Sequence, residues 1–366
     1  MNLMRLYISL LFAFIQLNAQ SGIISGFVSD SSSAEALIGA NVILQETGQG
    51  MATDINGYYI IQDITPGDYV LMVSYVGFKL KKEKLKISDG QSIKLDISLS
   101  EDVVELTQIE VTAEQIQRKS NIQPSKINLS PRMMKAAPAL AEPDLFRTIQ
   151  ALPGVLTTSE FSTGLVIRGG NTDQNLILLD GVTVYNPSHL GGIFSNFIVD
   201  GVKEAELIKG AYNAEYGGRL SAVLNIISRE GNQKKFEGKA NLSLLSAQAT
   251  IEGPFYKGAW VFSGRRTYFD KIFQNVPTIP PYYFYDIQSH IYTDLTSKDR
   301  LSLSFYNGVD DLLFDTFGLT GRWGNRTVSA QYRRVFSEKL IGNFLYANSL
   351  FFTCLLYTSD AADESR

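Results

Sequence analysis

Very few side chains in this sequence have the types and spacings that catalyse reactions. The two histidines, His189 and His290, are far apart, and Cys354 is the sole cysteine, so no disulfide framework is predicted. No H-E-x-x-H, C-x-x-C or G-x-S-x-G sequence and no Walker loop occurs. The carboxylates are spread through turns. We therefore predict a protein that is not an enzyme and that has neither a metal site nor a cofactor.

The residues that could instead bind a ligand lie mostly between Asp144 and Arg229, where short apolar runs alternate with Gly-rich turns. The runs are Val166–Ile167, Leu176–Leu179, Ala205–Ile208 and Val223–Ile227, and the turns are at Gly169–Gly170, Gly181, Gly210 and Gly217–Gly218. This pattern predicts a small, loop-rich α+β domain. It opens with a helix after Pro143, because Phe146, Ile149 and Leu152 fall on one helical face.

This segment contains three short motifs, IRGG, LLDGV and EAELIKGAYNAEYGGR. Their sequence and order resemble the plug domain of TonB-dependent outer-membrane transporters. We predict a plug over residues 144–232. The positions that match the family words are Arg168, Gly169, Asp180, Gly181, Glu204, Lys209, Gly210, Tyr216, Gly217 and Arg219. The resemblance implies that Arg168 and Arg219 pair with carboxylates of a barrel wall, which the planar guanidinium suits. The alternative is that both are ordinary surface arginines.

Seven residues on the predicted plug loops are candidates for contact with a ligand, because binding residues concentrate on loops. They are Asn171, Asp173, Gln174, Asn175, Tyr185, Asn186 and His189. The alternative is that these loops face the periplasm. His189, in the sequence NPSHLGG, is predicted to be a surface or loop residue and not a metal ligand.

Residues 21–100 form a separate unit. Their alternating runs give about seven short strands separated by turn residues, which predicts a small β-sandwich. Asn56–Gly57 lies between two such runs and predicts a hairpin over Ala52–Ile64. The Lys-rich run Lys79–Lys86 is interpreted as a solvated strand edge.

This unit is similar to the carboxypeptidase-regulatory-like domain, through the words G-x-V-x-D, G-A-N-V, T-D-x-N-G-Y-Y and P-G-x-Y-x-L-x-V-S-Y-V-G-F. The resemblance implies no peptidase activity. Asp30, Asp54 and Asp63 are interpreted as turn residues, since Asp bonds its own local backbone, and not as metal ligands.

Residues 101–143 are predicted to be a linker in which four prolines, Pro131 among them, limit regular structure. Inside it lies one β-prone run, Leu106–Ala113, which is similar to the TonB box. Its candidate residues are Leu106, Ile109, Glu110, Val111, Thr112 and Ala113. An extended peptide of this kind can add as a strand to the sheet edge of a partner protein. The alternative is that the run is the last strand of the first unit.

From Phe236 onward polar and apolar residues nearly alternate, with many Tyr and Phe. This is typical of transmembrane β-strands, which face lipid and lumen in turn, and we count about five or six of them. Residues 233–353 are therefore predicted to begin an antiparallel transmembrane β-barrel, with Asn275–Tyr285 as an extracellular loop and His290 facing the lumen. The fold class is mainly β: a β-sandwich, an α+β plug and an incomplete barrel.

Both ends of the sequence carry separate signals. Arg5 and the apolar run Leu6–Leu17 are typical of a secretory signal peptide over residues 1–20; a buried N-terminal helix is the alternative. Because the resembled barrel has about 22 strands, we expect an N-terminal fragment of a longer transporter. Residues 354–366 break the strand pattern and are expected to be non-native.

A formal net charge of −4, without a long basic run, argues against a nucleic-acid partner. The resemblance implies energy-coupled uptake of a siderophore, vitamin, glycan or peptide across the outer membrane, with the plug and first unit on the periplasmic side. The implied partners are TonB with its inner-membrane energising complex, outer-membrane lipid, a surface lipoprotein and the ligand. Two alternatives are an outer-membrane signalling receptor and a periplasmic carbohydrate- or ligand-binding protein.

Overall fold

The computed structural model describes residues 21–102, 126–137, 142–157, 159, 162–273, 276, 281–296, 298–314, 319–337 and 340–357. Two compact units, Met1–Asn121 and Ile122–Arg366, divide the chain. Over these described ranges, no helix has the length and apolarity needed to cross a membrane. The predicted signal peptide and the Leu106–Ala113 run lie outside the described residues.

The first unit consists of two four-stranded sheets. Its strands are β1 (Gly22–Asp30), β2 (Asn41–Leu44), β3 (Gly50–Ala52), β4 (Tyr58–Ile64), β5 (Gly67–Ser74), β6 (Lys81–Ile87), β7 (Ser92–Lys94) and β8 (Ile97–Leu99). One sheet has the order β4-β1-β7 with β8 also on β1, and the other has the order β3-β2-β5-β6. Ile24 and Tyr59 of one sheet share a buried core with Val42 and Leu71 of the other, which is the predicted sandwich.

The predicted hairpin over Ala52–Ile64 is wrong. The turn itself forms, because the Asp54 carboxylate accepts the N–H groups of Asn56 and Tyr58, both at 2.8 Å, and Gly57 has a φ of +73°. However, β3 pairs with β2 whereas β4 pairs with β1, so the turn carries the chain from one sheet to the other. Turn chemistry and alternation are local signals that a hairpin and a sheet crossing satisfy equally, and the shared core decides between them.

Two other predictions for this unit are confirmed, those for Asp30 and for the Lys-rich strand edge. Asp63, which was also predicted to be a turn residue, instead lies within β4, with a φ of +57°. The Asp30 carboxylate accepts the N–H of Ser32 at 2.7 Å and the hydroxyl of Ser33 at 2.9 Å, which is a local turn role. Strand β6, which contains most of the run Lys79–Lys86, is the edge strand of its sheet. Alternate lysines there are exposed, as expected of a charged edge that discourages pairing with another chain.

The second unit begins with the plug domain, whose main sheet has the strand order β13-β12-β17-β16-β9. Its elements are β9 (Lys126–Leu129), α1 (Pro131–Ala136), α2 (Leu145–Gln150), β10 (Val155–Thr157), β11 (Leu165–Ile167), β12 (Leu176–Leu179), β13 (Val182–Thr183), β14 (Ser188–His189), β15 (Phe194–Ser195), β16 (Val202–Ile208) and β17 (Val223–Ser228). The β10–β11 and β14–β15 pairs are separate antiparallel ladders. The β12–β17 pair is parallel and the other described pairs of this sheet are antiparallel. Helices α1 and α2 accompany this mixed sheet, so the domain is α+β, as predicted.

The predicted plug helix is confirmed as α2. Asp144 caps it by accepting the N–H groups of Phe146 and Arg147, which would otherwise lack partners at a helix start. Phe146 and Ile149 are buried, and Leu152 packs against the same core. The apolar spacing therefore predicted both the helix and the face that it buries.

Two plug elements lie inside the segment that was predicted to be a linker. Pro131 occupies the first turn of α1, where a missing N–H has no consequence, and Ser130 caps that helix. Strand β9 extends the plug sheet by pairing with β16. Pro131 thus starts a helix where a break was expected, and the plug begins ahead of residue 144.

The rest of the second unit is one antiparallel sheet, here called the wall sheet. Its elements are β18 (Glu237–Leu242), β19 (Ser246–Phe255), β20 (Gly258–Thr267), α3 (Phe269–Ile272), β21 (Tyr282–Thr296), β22 (Asp299–Phe314), β23 (Leu319–Ser337) and β24 (Leu340–Tyr357). Each strand pairs with the next one along the chain, and the described strands form an open sheet. The seven strands exceed the predicted count.

Burial confirms the alternation predicted for these strands. On β20, Ala259 and Val261 are buried on the face that they share with Ser263 and Arg265, which contact the plug, whereas Phe262 is exposed on the opposite face. We call these the inner and outer faces. The outer face also exposes large apolar side chains on later strands, such as Leu303 and Leu350. Successive strand residues point to opposite faces, so one sequence period serves two different environments.

Two segments that were expected to be irregular are strands. Tyr282–Tyr285, predicted as part of a loop, begins β21 and pairs with β22. Cys354–Tyr357, predicted to break the pattern, continues β24 in register with β23. Residues 358–366 lie outside the described residues.

Candidate functional site at the contact between plug and wall

A buried cluster of charged side chains lies where the plug meets the inner face of the wall sheet. His189 of β14 lies between two wall carboxylates, with Nδ1 2.7 Å from Asp310 Oδ2 and Nε2 2.8 Å from Asp286 Oδ1. None of the three is more than 1% exposed. Because an ionised carboxylate can only accept hydrogen bonds, both ring nitrogens donate, which is the pattern of an imidazolium ion.

Arg265 of β20 extends this cluster to a second part of the plug. Its Nε and Nη2 donate to Asp286 Oδ2 at 2.9 and 2.5 Å. Its Nη1 donates to Glu142 at 2.7 Å, and Nη2 also reaches the carbonyl of Ser195 at 2.6 Å. One guanidinium therefore joins a wall carboxylate to two plug residues, with the fork geometry that makes arginine–carboxylate pairs strong.

Aromatic residues of the wall complete the surroundings of the cluster. The hydroxyl of Tyr306 donates to Asp286 at 2.8 Å, and the hydroxyl of Tyr282 donates to Asp310. The ring of Phe284 stacks on the imidazole with centroids 4.1 Å apart. The carboxylates thus have partners besides the two cations, which a buried charge needs in order to be tolerated.

The protonation of His189 follows from this arrangement. Burial by itself lowers the pKa of His189, but the charges and hydrogen bonds of Asp286 and Asp310 outweigh it and raise the pKa to about 8. The protonated form is therefore the major one at neutral pH. Within the described residues, no group of three or more His, Cys, Asp or Glu side chains is arranged to hold a metal ion.

Local sequence explains how the plug presents His189. After it, Leu190 has a φ of +48° and Gly191–Gly192 also have positive φ, so the chain reverses tightly between β14 and β15. The second carboxylate oxygen of Asp144 accepts the N–H of Ser195 at 2.7 Å. The cap of α2 therefore also holds the hairpin that carries the histidine.

A second set of ion pairs joins plug and wall near the short β19–β20 and β21–β22 turns. Arg229, directly after β17, makes a two-point contact with Glu252 of β19 at 2.8 and 2.7 Å. Arg300 of β22 donates to Glu230 at 3.1 Å and to Asp294 at 2.7 Å. The plug is thus held by charged contacts toward both ends of the wall strands.

The arginines predicted to make such contacts have other surroundings. Arg168 is exposed, and Arg219 donates to the carbonyl of Gly218 at 3.0 Å. The pairs described above use Arg229, Arg265 and Arg300. Pairing of Arg168 and Arg219 with wall carboxylates stays a prediction.

The motifs that resemble the plug family form turns in the plug loops. Arg168–Gly169 and Asp180–Gly181 both have two consecutive positive φ values, +49° and +83° in the first and +49° and +79° in the second, the geometry of a type I′ turn. The Asp180 carboxylate also accepts the N–H and hydroxyl of Ser228 at 2.8 and 2.6 Å. His290 faces the plug from β21, with Nδ1 3.9 Å from Asp180 Oδ2, which confirms that it faces inward.

The residues of the third motif, EAELIKGAYNAEYGGR, also have structural roles. Lys209 Nζ donates to the carbonyl of Pro153 at 2.8 Å, and Gly210 has a φ of +140°. Tyr216 packs on a small core of the plug, and a Cβ on Gly217 would meet open space. Glu204 is buried, and burial together with the nearby charge of Glu206 raises its pKa to about 7.

The candidate ligand residues divide into two groups. Asn171, Asp173 and Tyr185 are exposed, and Gln174 is half-buried. The other three are engaged within the protein. Asn175 donates to the carbonyl of Leu165 at 2.7 Å, the backbone of Asn186 contacts Asn325 of the wall, and His189 is buried. The expectation that His189 is a surface or loop residue is wrong, because its hairpin packs against the wall. Ligand contact by these residues stays a prediction.

Sequence reasoning missed Glu142, Arg265, Asp286 and Asp310. The available signal was the alternation of side chains along a strand. Asp286 lies two residues from Phe284, so the two side chains share the inner face. This alternation predicts which face of the sheet a side chain lies on, but not which other element packs against that face.

An α+β plug packed on the inner face of an amphipathic antiparallel sheet defines a class of outer-membrane protein, and comparison with known families agrees. The family described as "TonB-dependent Receptor Plug Domain" matches residues 128–223, and the one described as "CarboxypepD_reg-like domain" matches residues 24–111. The chain carries both domains, and the resemblance to TonB-dependent receptors is confirmed.

The chain is similar to two curated relatives and to one solved structure. TonB-dependent receptor P26 of Formosa agariphila is 30% identical over 250 residues, which is 63% of this chain and 23% of the relative. TonB-dependent transporter Oar of Myxococcus xanthus is 24% identical over 229 residues, 59% of this chain and 21% of the relative. The siderophore receptor PirA from Pseudomonas aeruginosa superposes with a TM-score of 0.49 at 17% identity, over 65% of this chain and 42% of that structure. The chain thus matches 23% and 21% of the length of these two curated relatives.

Proposed function

We propose that this chain is the plug-bearing part of a receptor for TonB-dependent uptake across the outer membrane. The main support is the packing of the plug on the inner face of the wall sheet, while the outer face exposes apolar side chains such as Phe262, Leu303 and Leu350. An outward apolar face with a polar, plug-filled interior suits a wall in lipid. We further propose that the plug and the first unit lie on the periplasmic side.

In this proposal the buried ion pairs keep the plug closed. Removing one partner of a buried pair typically costs about 3–5 kcal/mol, because the other charge is left unpaired. Moving the plug from the wall separates several such partners, including His189 from Asp286 and Arg265 from Glu142. Spontaneous opening is therefore rare, and opening needs work from outside the membrane.

We propose that the work enters through Leu106–Ala113, captured by TonB. The described chain resumes at β9, which is an edge strand of the plug sheet and pairs only with β16 among its described strands. Tension on the residues before Lys126 therefore acts first on a strand with a single neighbour. Separation of β9 from β16 would begin the rearrangement.

Cysteine capture tests this proposal. In a Cys354→Ser chain, Ile109→Cys is mixed with the periplasmic domain of TonB carrying a cysteine, and disulfide-linked complex is measured. Lys119→Cys, also in the linker, is the matched control. Capture at position 109 and not at 119 is expected; equal capture at both positions, or none at 109, would contradict the role of Leu106–Ala113.

A further inference from the structure

An apolar cavity of 310 Å³ lies beside the charged cluster. It is lined by Leu190, Gly191, Phe269, Phe273, Tyr282, Leu312 and Trp323. The plug hairpin, helix α3 with the residue after it, and wall strands β21, β22 and β23 all contribute to this lining. The cavity therefore exists only when the plug is packed on the wall.

We propose that this cavity binds a neutral apolar group of the imported ligand, such as an aromatic side chain of a peptide. The proposal rests on the proposed function in one respect, namely that an uptake receptor meets its ligand from outside. The lining lies at the end of the wall where β20 and β21 are joined by residues 268–281, whereas the opposite end has the short turn at Tyr256–Lys257. In outer-membrane barrels the longer loops are extracellular.

The chemistry of the lining selects the ligand group. Six of the seven lining residues lack a charged or hydroxyl group, and the exception, Tyr282, is already engaged. Its hydroxyl accepts the N–H of Leu190 at 2.9 Å and donates to Asp310. A sugar hydroxyl or a carboxylate entering here would lose its hydrogen bonds to water without gaining others, which disfavours its binding. An aromatic ring instead gains burial and edge or offset contacts with Phe269, Phe273 and Trp323.

The backbone at the cavity is held in an uncommon conformation. Leu190 has a φ of +48°, which is unfavourable for a residue with a branched side chain. Its N–H is fixed by Tyr282 and, at 3.1 Å, by Asp310. The same residue packs against the buried aromatic group that includes Phe194 and Phe284. The cavity wall is thus set before a ligand arrives, which lowers the ordering cost of binding.

Contact quenching of Trp323 tests the proposal on the full chain in detergent. The sequence has two tryptophans, so Trp260→Phe leaves Trp323 as the only one. The probe is N-acetyl-4-bromophenylalanine amide, whose bromine quenches indole on contact. Saturable quenching that N-acetylphenylalanine amide reverses, and that N-acetylglucosamine does not, is expected. Trp260 in a Trp323→Phe chain is the control and should show only a linear rise. The same linear rise for Trp323 would mean partition into detergent and would overturn the proposal. Equal displacement by the sugar would overturn it too.

Filling the cavity provides a second test. Leu312→Phe narrows the cavity and should weaken probe binding by about tenfold or more, because a size difference of one methylene in an apolar pocket changes binding by about 10–200-fold. Leu313→Phe is the matched control, since Leu313 is the next residue and lies on the outer face, 38% exposed. Should Leu312→Phe fail to fold, Leu312→Ala enlarges the cavity and should still bind the probe. Unchanged binding by Leu312→Phe, or lost binding by a folded Leu312→Ala, would refute the site.

These measurements need no TonB. Loss of probe binding together with normal capture at position 109 would refute the cavity proposal alone. Normal probe binding without capture would refute the proposed coupling and leave the cavity as a ligand site.

Discussion

Between Asp286 and Asp310, the imidazole of His189 is held as a cation at neutral pH, since both carboxylates accept hydrogen bonds from it. The histidine belongs to the plug and the carboxylates to the wall, so its protonation is coupled to their contact. Loss of the proton would leave one carboxylate facing a nitrogen lone pair in a buried site.

This coupling predicts a loss of stability with rising pH. The pKa of His189 is about 8 in the folded chain against an ordinary value of 6.5. A raised pKa means that the stabilisation is fully present below pH 6.5 and is lost as the pH rises through 8, by about 2 kcal/mol in total. Urea unfolding of the chain in detergent at pH 6 and pH 9 measures it. His189→Gln should reduce this pH dependence to the part that comes from buried Glu204, whose raised pKa of about 7 also lowers stability as the pH rises. His290→Gln should keep the full dependence. An equal midpoint for the wild type at both pH values would contradict the prediction.

A second prediction concerns two consecutive arginines with opposite surroundings. Arg265→Gln should lower the free energy of unfolding by about 3–5 kcal/mol, because Asp286 and Glu142 lose their charged partner in a buried site. Arg266→Gln is the control, since Arg266 is exposed and pairs with Asp270 at the surface, where a pair contributes about 1 kcal/mol or less. Similar losses for both variants in urea unfolding would show that the buried cluster is not formed.

At the scale of elements, glycines mark where wall strands make room for the cluster. Gly308 lies on the inner face of β22, and a Cβ there would lie 2.6 Å from Asp286 Oδ1 and would also overlap the hydroxyl of Tyr306. Tyr306 is fully buried and bonded to that carboxylate, so neither group can move aside easily. The absence of a side chain at Gly308 therefore leaves room for the hydrogen bond between Tyr306 and Asp286.

Gly308→Ala is therefore expected to destabilise the chain by about 1–3 kcal/mol through overpacking. Gly264→Ala on β20 is the matched control, because the nearest atom to its new Cβ is 3.8 Å away, an ordinary contact. Thermal unfolding of both variants gives the difference. A Gly308→Ala chain as stable as the control would mean that Tyr306 and Asp286 do not occupy the described positions.

The sandwich unit gives an element-scale prediction that is independent of the plug. Leu71 is fully buried in the core between its two sheets, whereas Leu80 is 45% exposed. In an isolated domain of residues 21–102, Leu71→Ala should cost about 2–5 kcal/mol through lost burial and a cavity. Leu80→Ala should cost much less. Equal effects on the unfolding midpoint would show that the two sheets do not pack as described.

At the scale of the whole molecule, the proposed function requires that plug and wall can be locked together. A Cβ on Gly201 of the plug would lie 3.3 Å from the Cβ of Ser263 on β20, close to the separation of about 3.5–4.5 Å in disulfides. Gly201→Cys with Ser263→Cys, in a Cys354→Ser chain, should therefore form a disulfide on mild oxidation. The bond should protect the plug from proteolysis.

Phe262 supplies the control for that lock. It precedes Ser263 but lies on the outer face, so Gly201→Cys with Phe262→Cys should stay reduced. Gel mobility before and after reduction separates the two results. Equal cross-linking of both pairs would mean that the plug does not rest on one face of the wall.

Local sequence determined much of this protein because the relevant signals act over a few residues. The cap at Asp144, the type I′ turn at Asp180–Gly181 and the alternation along the wall strands each depend on neighbours within a turn or two of chain. Backbone sterics, capping hydrogen bonds and the alternation of strand side chains depend only on nearby residues, so they can be predicted without the tertiary structure.

Only the tertiary structure decided which charges meet. Arg265 lies 123 residues from Glu142, and His189 lies 121 from Asp310. The turn at Asn56–Gly57, although strong locally, joins two sheets and not two paired strands. In each case the outcome depends on which distant surface is available to bury the segment. A buried charge is stable only beside its partner, so the partner's position, set by the whole fold, determines its role.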